Sequence, residues 1–171
     1  MKAIVAVDEN WAIGNEGKLL ISIPEDMKFF VKTTKGHTVI MGRKTLESFP
    51  SGKPLKHRTN VVLSATMKAE TVDVDEDTTL KVIHEVDDLA DALGGFESVQ
   101  SKEAVVIGGG SVYKLLLPYC DTVYVTAIRH TFTADTYFPN LDADPEWEIA
   151  EESEIFNHEG IDYSFRTYRR I

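Results

Sequence analysis

A series of short segments rich in β-branched residues constrains the fold of this chain more than any other feature. They cover residues 3–7, 38–42, 60–64, 104–107 and 122–128, and the first is continuously apolar. Strands of this kind are typical of a parallel sheet, in which helices cover both faces. Helical segments lie between them at residues 24–35, 43–49, 87–93 and 111–117. The sequence therefore predicts an α/β fold.

The C-terminal part has a different pattern, with apolar and polar residues in alternation. Residues 148–156 and 161–168 flank a turn at 157–160, which predicts an antiparallel hairpin. With a further short strand at 80–83, we expect a central, mostly parallel sheet of about eight strands with helices on both faces. No linker or repeat interrupts the pattern, so residues 1–171 are predicted to form a single domain. Residues 10–22, 69–79 and 94–102 are interpreted as loops.

Composition and charge exclude several classes of function. The net charge of −10 argues against a nucleic-acid-binding protein, and no apolar stretch approaches the ~20 residues of a membrane span. Residues 1–68 nevertheless hold eleven Lys and Arg against six Asp and Glu. This excess fits either an ordinary charged surface or a site for an anionic small molecule. A single cysteine, Cys120, excludes an internal disulfide and indicates a reducing, cytoplasmic location.

Two strand–glycine–helix junctions are candidate phosphate sites. Glycines permit close approach of the backbone, and the free N–H groups of a helix start favour an anion. One junction is Met41-Gly42-Arg43-Lys44-Thr45, which adds two cations and a hydroxyl, and the other is Ile107-Gly108-Gly109-Gly110-Ser111-Val112-Tyr113. Taken alone, each is equally compatible with an ordinary turn. The second is not the G-x-G-x-x-G fingerprint, because Tyr113 stands at its last position.

Two single charged residues are also candidates. Arg58 precedes a predicted strand and could hold a carboxylate through two parallel hydrogen bonds, although a lone arginine is usually a surface residue. Asp26 lies in the first turn of a predicted helix and shares a face with Phe30. A carboxylate beside apolar side chains has a raised pKa, which suits proton chemistry, but a helix-start acid is the commoner interpretation. The five histidines show no metal-ligand spacing, so no metal is expected.

Taken together and in order, these segments resemble dihydrofolate reductase of the bacterial type over essentially the whole chain. The matching pieces include Ala12-Ile13-Gly14-Asn15, Ile23-Pro24-Glu25-Asp26, residues 39–45, residues 54–64, Val106-Ile107-Gly108-Gly109-Gly110, Thr126 and Asp135-Thr136-Tyr137-Phe138-Pro139. The resemblance implies a dihydrofolate-reductase-like fold and NADPH-dependent reduction of dihydrofolate to tetrahydrofolate, which supplies one-carbon metabolism. Hydride would reach C6 and a proton would reach N5. It further implies a cytoplasmic monomer that binds folate-analogue inhibitors.

The resemblance also implies roles for individual residues. Asp26 and Thr126 would be catalytic, with Thr126 hydrogen-bonded to the carboxylate. The substrate would contact Ile4, Val5, Ala6, Met27, Phe30, Phe49, Leu55, Arg58, Ile107 and Tyr113, with Arg58 on its glutamate α-carboxylate. NADPH would contact Ala6, Ile13, Asn15, Gly17, Leu19, Gly42, Arg43, Lys44, Thr45, Leu63, Ser64, Ala65, Thr66, Ile107, Gly108, Gly109, Gly110, Ser111, Val112, Tyr113 and Thr136. Residues 15–19 would form a mobile loop steadied by Asp135, and Gly108 and Gly109 would be joined by a cis peptide.

The sequence departs from the family pattern at the site. Leu20-Ile21 stands where the family usually has Pro-Trp, so we expect a reorganised water path or a shifted pH dependence. Ser111 replaces a frequent Arg or Lys, which leaves the NADPH 2′-phosphate to Arg43, Ser64 and Lys68. Two alternatives remain: a pyrimidine reductase of riboflavin synthesis, which shares the fold and NADPH, and a noncatalytic NADPH- or folate-binding module. Turnover and substrate choice would separate them.

Overall fold

The computed structural model describes residues 1–94 and 104–171. The predicted loop at 94–102 therefore lies, from residue 95 onward, outside the described residues. The strands within them are β1 (Lys2–Val7), β2 (Ala12–Asn15), β3 (Lys18–Leu19), β4 (Thr38–Gly42), β5 (Thr59–Leu63), β6 (Glu70–Asp75), β7 (Thr78–Ile83), β8 (Ala104–Gly108), β9 (Thr122–Ile128), β10 (Thr136–Tyr137), β11 (Trp147–Glu152), β12 (Phe156–His158) and β13 (Ile161–Arg170). The α-helices are α1 (Pro24–Thr34), α2 (Arg43–Ser48), α3 (Leu89–Ala92) and α4 (Gly110–Leu116).

The central sheet confirms the predicted α/β architecture. Its strand order is β11-β13-β9-β1-β8-β4-β5-β7-β6, and β12 pairs with β13. All five pairs among β9, β1, β8, β4, β5 and β7 are parallel. Antiparallel pairs occur at both ends, where β13 pairs with β9, β11 and β12, and β6 pairs with β7. The C-terminal antiparallel hairpin is therefore confirmed.

Within the described residues the central sheet has ten strands, whereas the sequence predicted about eight. One of the two additional strands arises because the predicted strand at 148–156 is divided into β11 and β12. The other is β6, which occupies the acidic segment that was interpreted as a loop. All six residues of β6 are exposed, so it carries no buried face that a hydrophobic pattern could reveal. Its strand conformation depends instead on the hydrogen-bond ladder with β7, a partner that short-range patterns do not identify.

Alternation along the strands assigns side chains to two apolar layers. Val5 of β1, Val106 of β8 and Val125 of β9 belong to the larger cluster, where α4 packs through Val112 and Leu116. Odd and even residues of a strand point to opposite faces. The other face of the sheet carries two smaller clusters, one around Met41, Val62 and Leu46 of α2, and one around Ile23, Ile128 and Tyr163. Helices thus cover both faces, as predicted.

The prediction of a loop at residues 10–22 is wrong for its central part. β2 and β3 form an antiparallel hairpin, and β10 adds a third strand to this small sheet. The turn at Glu16 and Gly17 has positive φ at both residues (51° and 76°), as a tight two-residue hairpin requires. Each strand is so short that its sequence contains no readable period.

Two further sequence expectations concern single features. Cys120 is buried, and burial raises the pKa of its thiol to about 12, so the thiol stays protonated and unreactive. Among the helices of the described residues, none is both long and apolar enough to span a bilayer.

Gly110, at the start of α4, provides a test of the contact between α4 and β10. A Cβ atom at residue 110 would lie 2.6 Å from Thr136 Cγ2. Alanine ordinarily favours a helix over glycine by up to ~1 kcal/mol, yet we expect Gly110→Ala to lower the free energy of unfolding by about 1–3 kcal/mol, because the methyl group overpacks this contact. Urea denaturation would measure the change.

Two variants control for this effect. Ser111→Ala changes the next, exposed residue of α4 and should leave the free energy of unfolding within about 0.5 kcal/mol of the parent. Thr136→Ser removes Cγ2, so the Gly110→Ala loss should shrink in its presence. A Gly110→Ala variant as stable as the parent would show that the contact is not restrictive.

Candidate active site

The N-terminal turn of α1 places a carboxyl group against the sheet. Pro24 occupies the first turn, where it costs no hydrogen bond, and Asp26 follows it. Thr126 of β9 lies on the face of the sheet that α1 covers, and its hydroxyl donates a hydrogen bond of 2.5 Å to Asp26 Oδ1. Thr126 is itself 1% exposed. The structure therefore brings together the two residues that were predicted to be catalytic.

Two opposing effects act on the pKa of Asp26. Burial raises it, since water no longer solvates the charged form, and the hydrogen bond from Thr126 lowers it because it stabilises the carboxylate. Burial is the larger effect, so the pKa of Asp26 lies above its ordinary value. A carboxyl group with this property can hold a proton at a pH where an exposed aspartate has lost it.

The wall beside Asp26 is formed by the same face of β1 and β8. Ile4, Ala6 and Ile107 alternate onto this face with Thr126, as the strand register requires. Val5 does not, because its side chain lies in the larger apolar cluster on the opposite face. Of the predicted substrate contacts on β1, Val5 can therefore contribute only its backbone.

Helix α1 connects Asp26 to a second charged group. Phe30 and Thr34 follow Asp26 at four-residue intervals, and the Thr34 hydroxyl donates to the Phe30 carbonyl at 2.8 Å. Arg58 Nε donates to the Thr34 hydroxyl oxygen at 3.0 Å, and Arg58 Nη1 donates to the Lys56 carbonyl at 2.5 Å. Arg58 is only 7% exposed, so the common interpretation of a lone arginine as a surface residue is wrong here.

Sequence reasoning missed Thr34, which directly holds Arg58. A threonine at the last position of a helix is unremarkable by propensity, yet this one is fully buried. Its spacing of eight residues from Asp26 was the available signal, since that spacing returns to the same helix face.

Apolar side chains lie between and beside the two charged groups. Met27 is 44% exposed and Phe30 is half-buried on α1. Phe49 and Leu55 are half-buried against the cluster of Val39, Met41 and Val62. This combination can bind a flat, largely apolar molecule that has a polar head at one end and an anion at the other.

The candidate phosphate residues follow the carboxyl ends of neighbouring parallel strands. Gly42 ends β4 and residues 43–45 follow it. In the same way Leu63 ends β5 and residues 64–66 follow it, and Gly108 ends β8 and residues 109–112 follow it. Arg43 Nη1 donates to the Thr66 hydroxyl at 3.2 Å, and Ser64 Oγ accepts from the Thr66 and Met67 amides at 3.3 and 3.2 Å. Lys44 and Ser111 are exposed. Ligands of open parallel sheets bind at this edge.

The glycine junction at the end of β8 lies against Thr45 of α2. The Gly108–Gly109 peptide is cis, as the resemblance implied. A Cβ atom at either glycine would lie 3.4–3.5 Å from the Thr45 hydroxyl oxygen, and one at Gly42 would lie 3.1 Å from Val112 Cγ2. Because glycine has no side chain, the backbone of this junction can approach a ligand closely.

Tyr113 lies behind the junction and not at its surface. It is 6% exposed, and its hydroxyl donates to the Ile4 carbonyl at 2.6 Å. Burial, and secondarily the charge of Asp26, raise the pKa of this phenol, so it remains a donor. Val112 is also buried, in the larger cluster. Tyr113 therefore holds the backbone of Ile4, a predicted substrate contact, through a hydrogen bond from the core side of the sheet.

Asp135 tethers the β2–β3 hairpin. Its Oδ2 accepts from the Glu16 amide at 2.9 Å, and its own amide donates to the Gly14 carbonyl at 3.1 Å. The Glu16 amide and then the Thr136 hydroxyl lower the pKa of Asp135, so the tether is anionic at neutral pH. Thr136 pairs with Gly14 in the small sheet. In the hairpin, Ile13 and Asn15 are half-buried, whereas Gly17 and Leu19 are exposed.

The Leu20-Ile21 departure lies on the chain between β3 and α1. Both residues are half-buried, and Ile21 packs against the cluster of Ile23, Ile128 and Tyr163. An alkyl side chain offers no hydrogen-bond donor, so Ile21 cannot hold a water molecule near Asp26. The altered water path stays a prediction.

Comparisons with known proteins agree on one family. A family model described as "Dihydrofolate reductase" matches residues 1–170. The chain is 36% identical over 169 residues to "Dihydrofolate reductase" of Bacillus subtilis (strain 168), covering 98% of this chain and 92% of that one. It is 33% identical over 170 residues to "Dihydrofolate reductase" of Staphylococcus haemolyticus, covering 98% and 94%.

A solved structure agrees in fold as well as in sequence. "Dihydrofolate reductase from Enterococcus faecalis complexed with NADP(H) and RAB-propyl" superposes with a TM-score of 0.77 at 34% identity, covering 99% of this chain and 95% of that one.

The pKa of Asp26 provides a test of the site's electrostatics. Thr126→Val removes the hydroxyl with little change in shape, and with it the hydrogen bond that lowers this pKa. We expect the pKa of Asp26 to rise above that of the parent, as followed by a ¹³C NMR titration of the carboxyl carbon. Thr122→Val, on the same strand but bonded to Asp121, should leave it unchanged. An unchanged or lower pKa in Thr126→Val would contradict this account.

Proposed function

Because the chain belongs to the dihydrofolate reductase family, it is an NADPH-dependent reductase of dihydrofolate, and we propose the following roles for its residues in that reaction. The observation that carries these roles is the hydrogen-bonded pair of Asp26, which is half-buried, and Thr126, which is buried. It supplies a protonatable group on an apolar wall, where the reduction needs a proton.

Asp26 binds the 2-amino group and N3 at the polar edge of the pterin, and it supports protonation of N5. Its raised pKa fits this role, since a carboxyl group that retains its proton more readily is a better proton source near neutral pH. Thr126 orients the carboxyl group from the sheet. When bound, NADPH supplies the hydride that reaches C6 of the pterin.

The rest of the substrate follows α1. Asp26 and Thr34 are eight residues apart, a rise of about 12 Å along the helix axis. Arg58, bonded to Thr34, marks the far end and pairs with the glutamate α-carboxylate. Met27, Phe30, Phe49 and Leu55 enclose the aromatic part between the two ends. The same groove would accept folate-analogue inhibitors that carry a flat, amino-substituted ring.

The residues after β4, β5 and β8 fit NADPH. Gly42, Gly108 and Gly109 have no side chains, which suits backbone that approaches a dinucleotide. Lys44 and Thr45 contact the phosphates between the two nucleotides. Arg43, bridged to Thr66, holds the 2′-phosphate together with Ser64. Ala6, Ile13, Asn15 and Gly110 face the nicotinamide end.

We also propose that residues 1–171 act as one domain, a monomer, in the cytoplasm. The monomer follows from the resemblance to the family, and the only cysteine is a buried thiol, which fits a reducing compartment. The net charge of −10 speaks against nucleic acid as a partner. Multi-angle light scattering of the purified protein tests the monomer, and a mass of twice 19.1 kDa would contradict it.

The direct test is oxidation of NADPH by purified protein with dihydrofolate, with NADH in parallel. Rapid turnover with NADPH supports the roles above and shows that Ile21 can stand where the family has tryptophan. Binding of both ligands without turnover would instead favour the noncatalytic module. Turnover only with a ribosylated aminopyrimidine would favour the pyrimidine reductase.

Asp26→Asn separates the proton role from binding. Turnover at neutral pH should fall about 10²- to 10⁴-fold, the usual contribution of general acid–base catalysis, while NADPH affinity stays close to that of the parent. Glu25→Gln changes the neighbouring exposed carboxylate and should keep turnover within about twofold. Full activity of Asp26→Asn would show that the proton comes from elsewhere.

The same variant should be more stable than the parent at neutral pH. The folded-state pKa of Asp26 is raised, so the contribution of this group to stability is complete below its unfolded pKa of ~3.9 and is lost as the pH rises through the folded pKa. Thermal unfolding should therefore show a higher Tm for Asp26→Asn at pH 7 and a smaller difference at pH 4. A lower Tm at pH 7 would contradict the burial of an unfavourable charge.

Arg43→Gln tests the assignment of the 2′-phosphate. The KM for NADPH should rise about tenfold or more, because a charge-assisted hydrogen bond is lost, while the KM for NADH changes less than about twofold. Arg129→Gln removes the same charge beyond the end of β9, three strands from β4, and controls for long-range electrostatics. Equal effects of Arg43→Gln on both dinucleotides would overturn the assignment.

A further inference from the structure

Asn60 is a polar residue in the middle of an apolar layer. It lies in β5 between β4 and β7, opposite Val39 and Leu80 in the register. Its side chain points to the same face as Val62 and is 0% exposed. A buried amide without partners destabilises a protein substantially, so its retention here requires that its hydrogen bonds be satisfied.

All of its hydrogen bonds go to backbone, and most go to one segment. Asn60 Oδ1 accepts from the Leu55 amide at 2.9 Å. Asn60 Nδ2 donates to the carbonyls of Leu55 at 2.9 Å, Arg58 at 3.2 Å and Thr79 at 3.3 Å. The two hydrogens of Nδ2 thus donate to three carbonyl oxygens, so at least one of these hydrogens is shared between two oxygens. The amide clamps both ends of residues 55–58.

That segment carries two residues assigned to the substrate, Leu55 and Arg58. Within the described residues, the Arg58 side chain has protein partners at Nε and Nη1, namely Thr34 and the Lys56 carbonyl. Its Nη2 has none among them, which leaves that end of the guanidinium available to an anion. The direction of this end depends on the Lys56 carbonyl and therefore on the backbone that Asn60 clamps.

We propose that Asn60 is a positioning residue, which fixes residues 55–58 and so sets the subsite for the terminal carboxylate of the substrate without contacting it. This rests on the proposed role of Arg58. A guanidinium binds a carboxylate best through two parallel hydrogen bonds, which demand a fixed plane and direction. A small displacement of the segment would therefore weaken recognition of the glutamate tail and leave the chemistry at Asp26 unaffected.

Two substrates make the test selective. Dihydrofolate carries the glutamate tail, whereas 6-methyl-7,8-dihydropterin presents the same reducible ring without it. Asn60→Asp keeps the shape of the side chain but places an oxygen against three carbonyl oxygens, and Asn60→Ser shortens the side chain so that it cannot span the segment. For both variants we expect the KM for dihydrofolate to rise about tenfold or more, while kcat for dihydrofolate and kcat/KM for the dihydropterin change less than about twofold.

A double-mutant cycle with Arg58 identifies the route of the effect. Arg58→Leu alone should raise the KM for dihydrofolate selectively. In the Arg58→Leu background, Asn60→Ser should raise the KM for dihydrofolate by less than about a further threefold, because the effects of residues that act as a unit are not additive. The remaining increase is the part of the effect that acts through Leu55. Val123→Ala, in the apolar layer on the opposite face, lowers stability without touching the site and should leave the ratio between the two substrates unchanged.

Each outcome has a distinct meaning. Three results would overturn the proposal, since Asn60 would then support the fold as a whole. They are an equal loss of kcat/KM with both substrates in the Asn60 variants, full additivity with Arg58→Leu, and failure of both Asn60 variants to fold. If Arg58→Leu itself does not distinguish the two substrates, the assignment of the tail subsite fails first. If Arg58→Leu raises the KM for dihydrofolate selectively but Asn60→Ser does not, the positioning role of Asn60 is rejected and the tail subsite stands.

Discussion

The burial of a carboxyl group between α1 and the sheet is the constraint on which the site depends. An aspartate is rarely placed in an apolar layer, because its charged form loses the stabilisation that water gives. Here the loss is only partly offset by one hydrogen bond from Thr126, and the pKa of Asp26 is raised as a result. The charged form of Asp26 therefore carries a local cost in stability, and the proposed role in protonating N5 would use the proton that this carboxyl group retains more readily.

Helix α1 relates this group to the opposite charge at Arg58. A helix is a rigid spacer, so residues at four-residue intervals from Asp26 to Thr34 define a line of fixed length along one face. The two ends differ in how they are held. Asp26 is bonded to a strand in the middle of the sheet, whereas Arg58 is bonded to the end of the helix and to a loop that Asn60 clamps. The two proposed subsites are thus held by different elements, and on this assignment substitutions at the two ends affect different kinetic constants.

The sequence predicted the parts of this arrangement that are local or that leave a strong hydrophobic pattern. The buried strands, the start of α1 at Pro24 and the C-terminal hairpin are of this kind, and the structure agrees with each. The exposed strand β6 was missed because it buries no face. The hairpin of β2 and β3 was missed because its strands are too short to show a period, and both β6 and the hairpin depend on partner strands. Residue roles came from the resemblance, and no pattern in the sequence reveals that Asn60 reaches back to Leu55.

Cofactor and substrate residues come from two different features of the sheet. The proposed NADPH residues lie beyond the carboxyl ends of β4, β5 and β8, whereas the proposed substrate residues lie on the face that α1 covers. These regions meet where β8 ends, because Ile107 belongs to the face and Gly108 to the edge. Tyr113 lies directly behind this point and donates its hydroxyl to the Ile4 carbonyl. A buried phenol with a raised pKa keeps its proton across the working range, so this bond does not change when Asp26 gains or loses its own. The point where the two proposed subsites meet is therefore held by a hydrogen bond that persists whether Asp26 is charged or neutral.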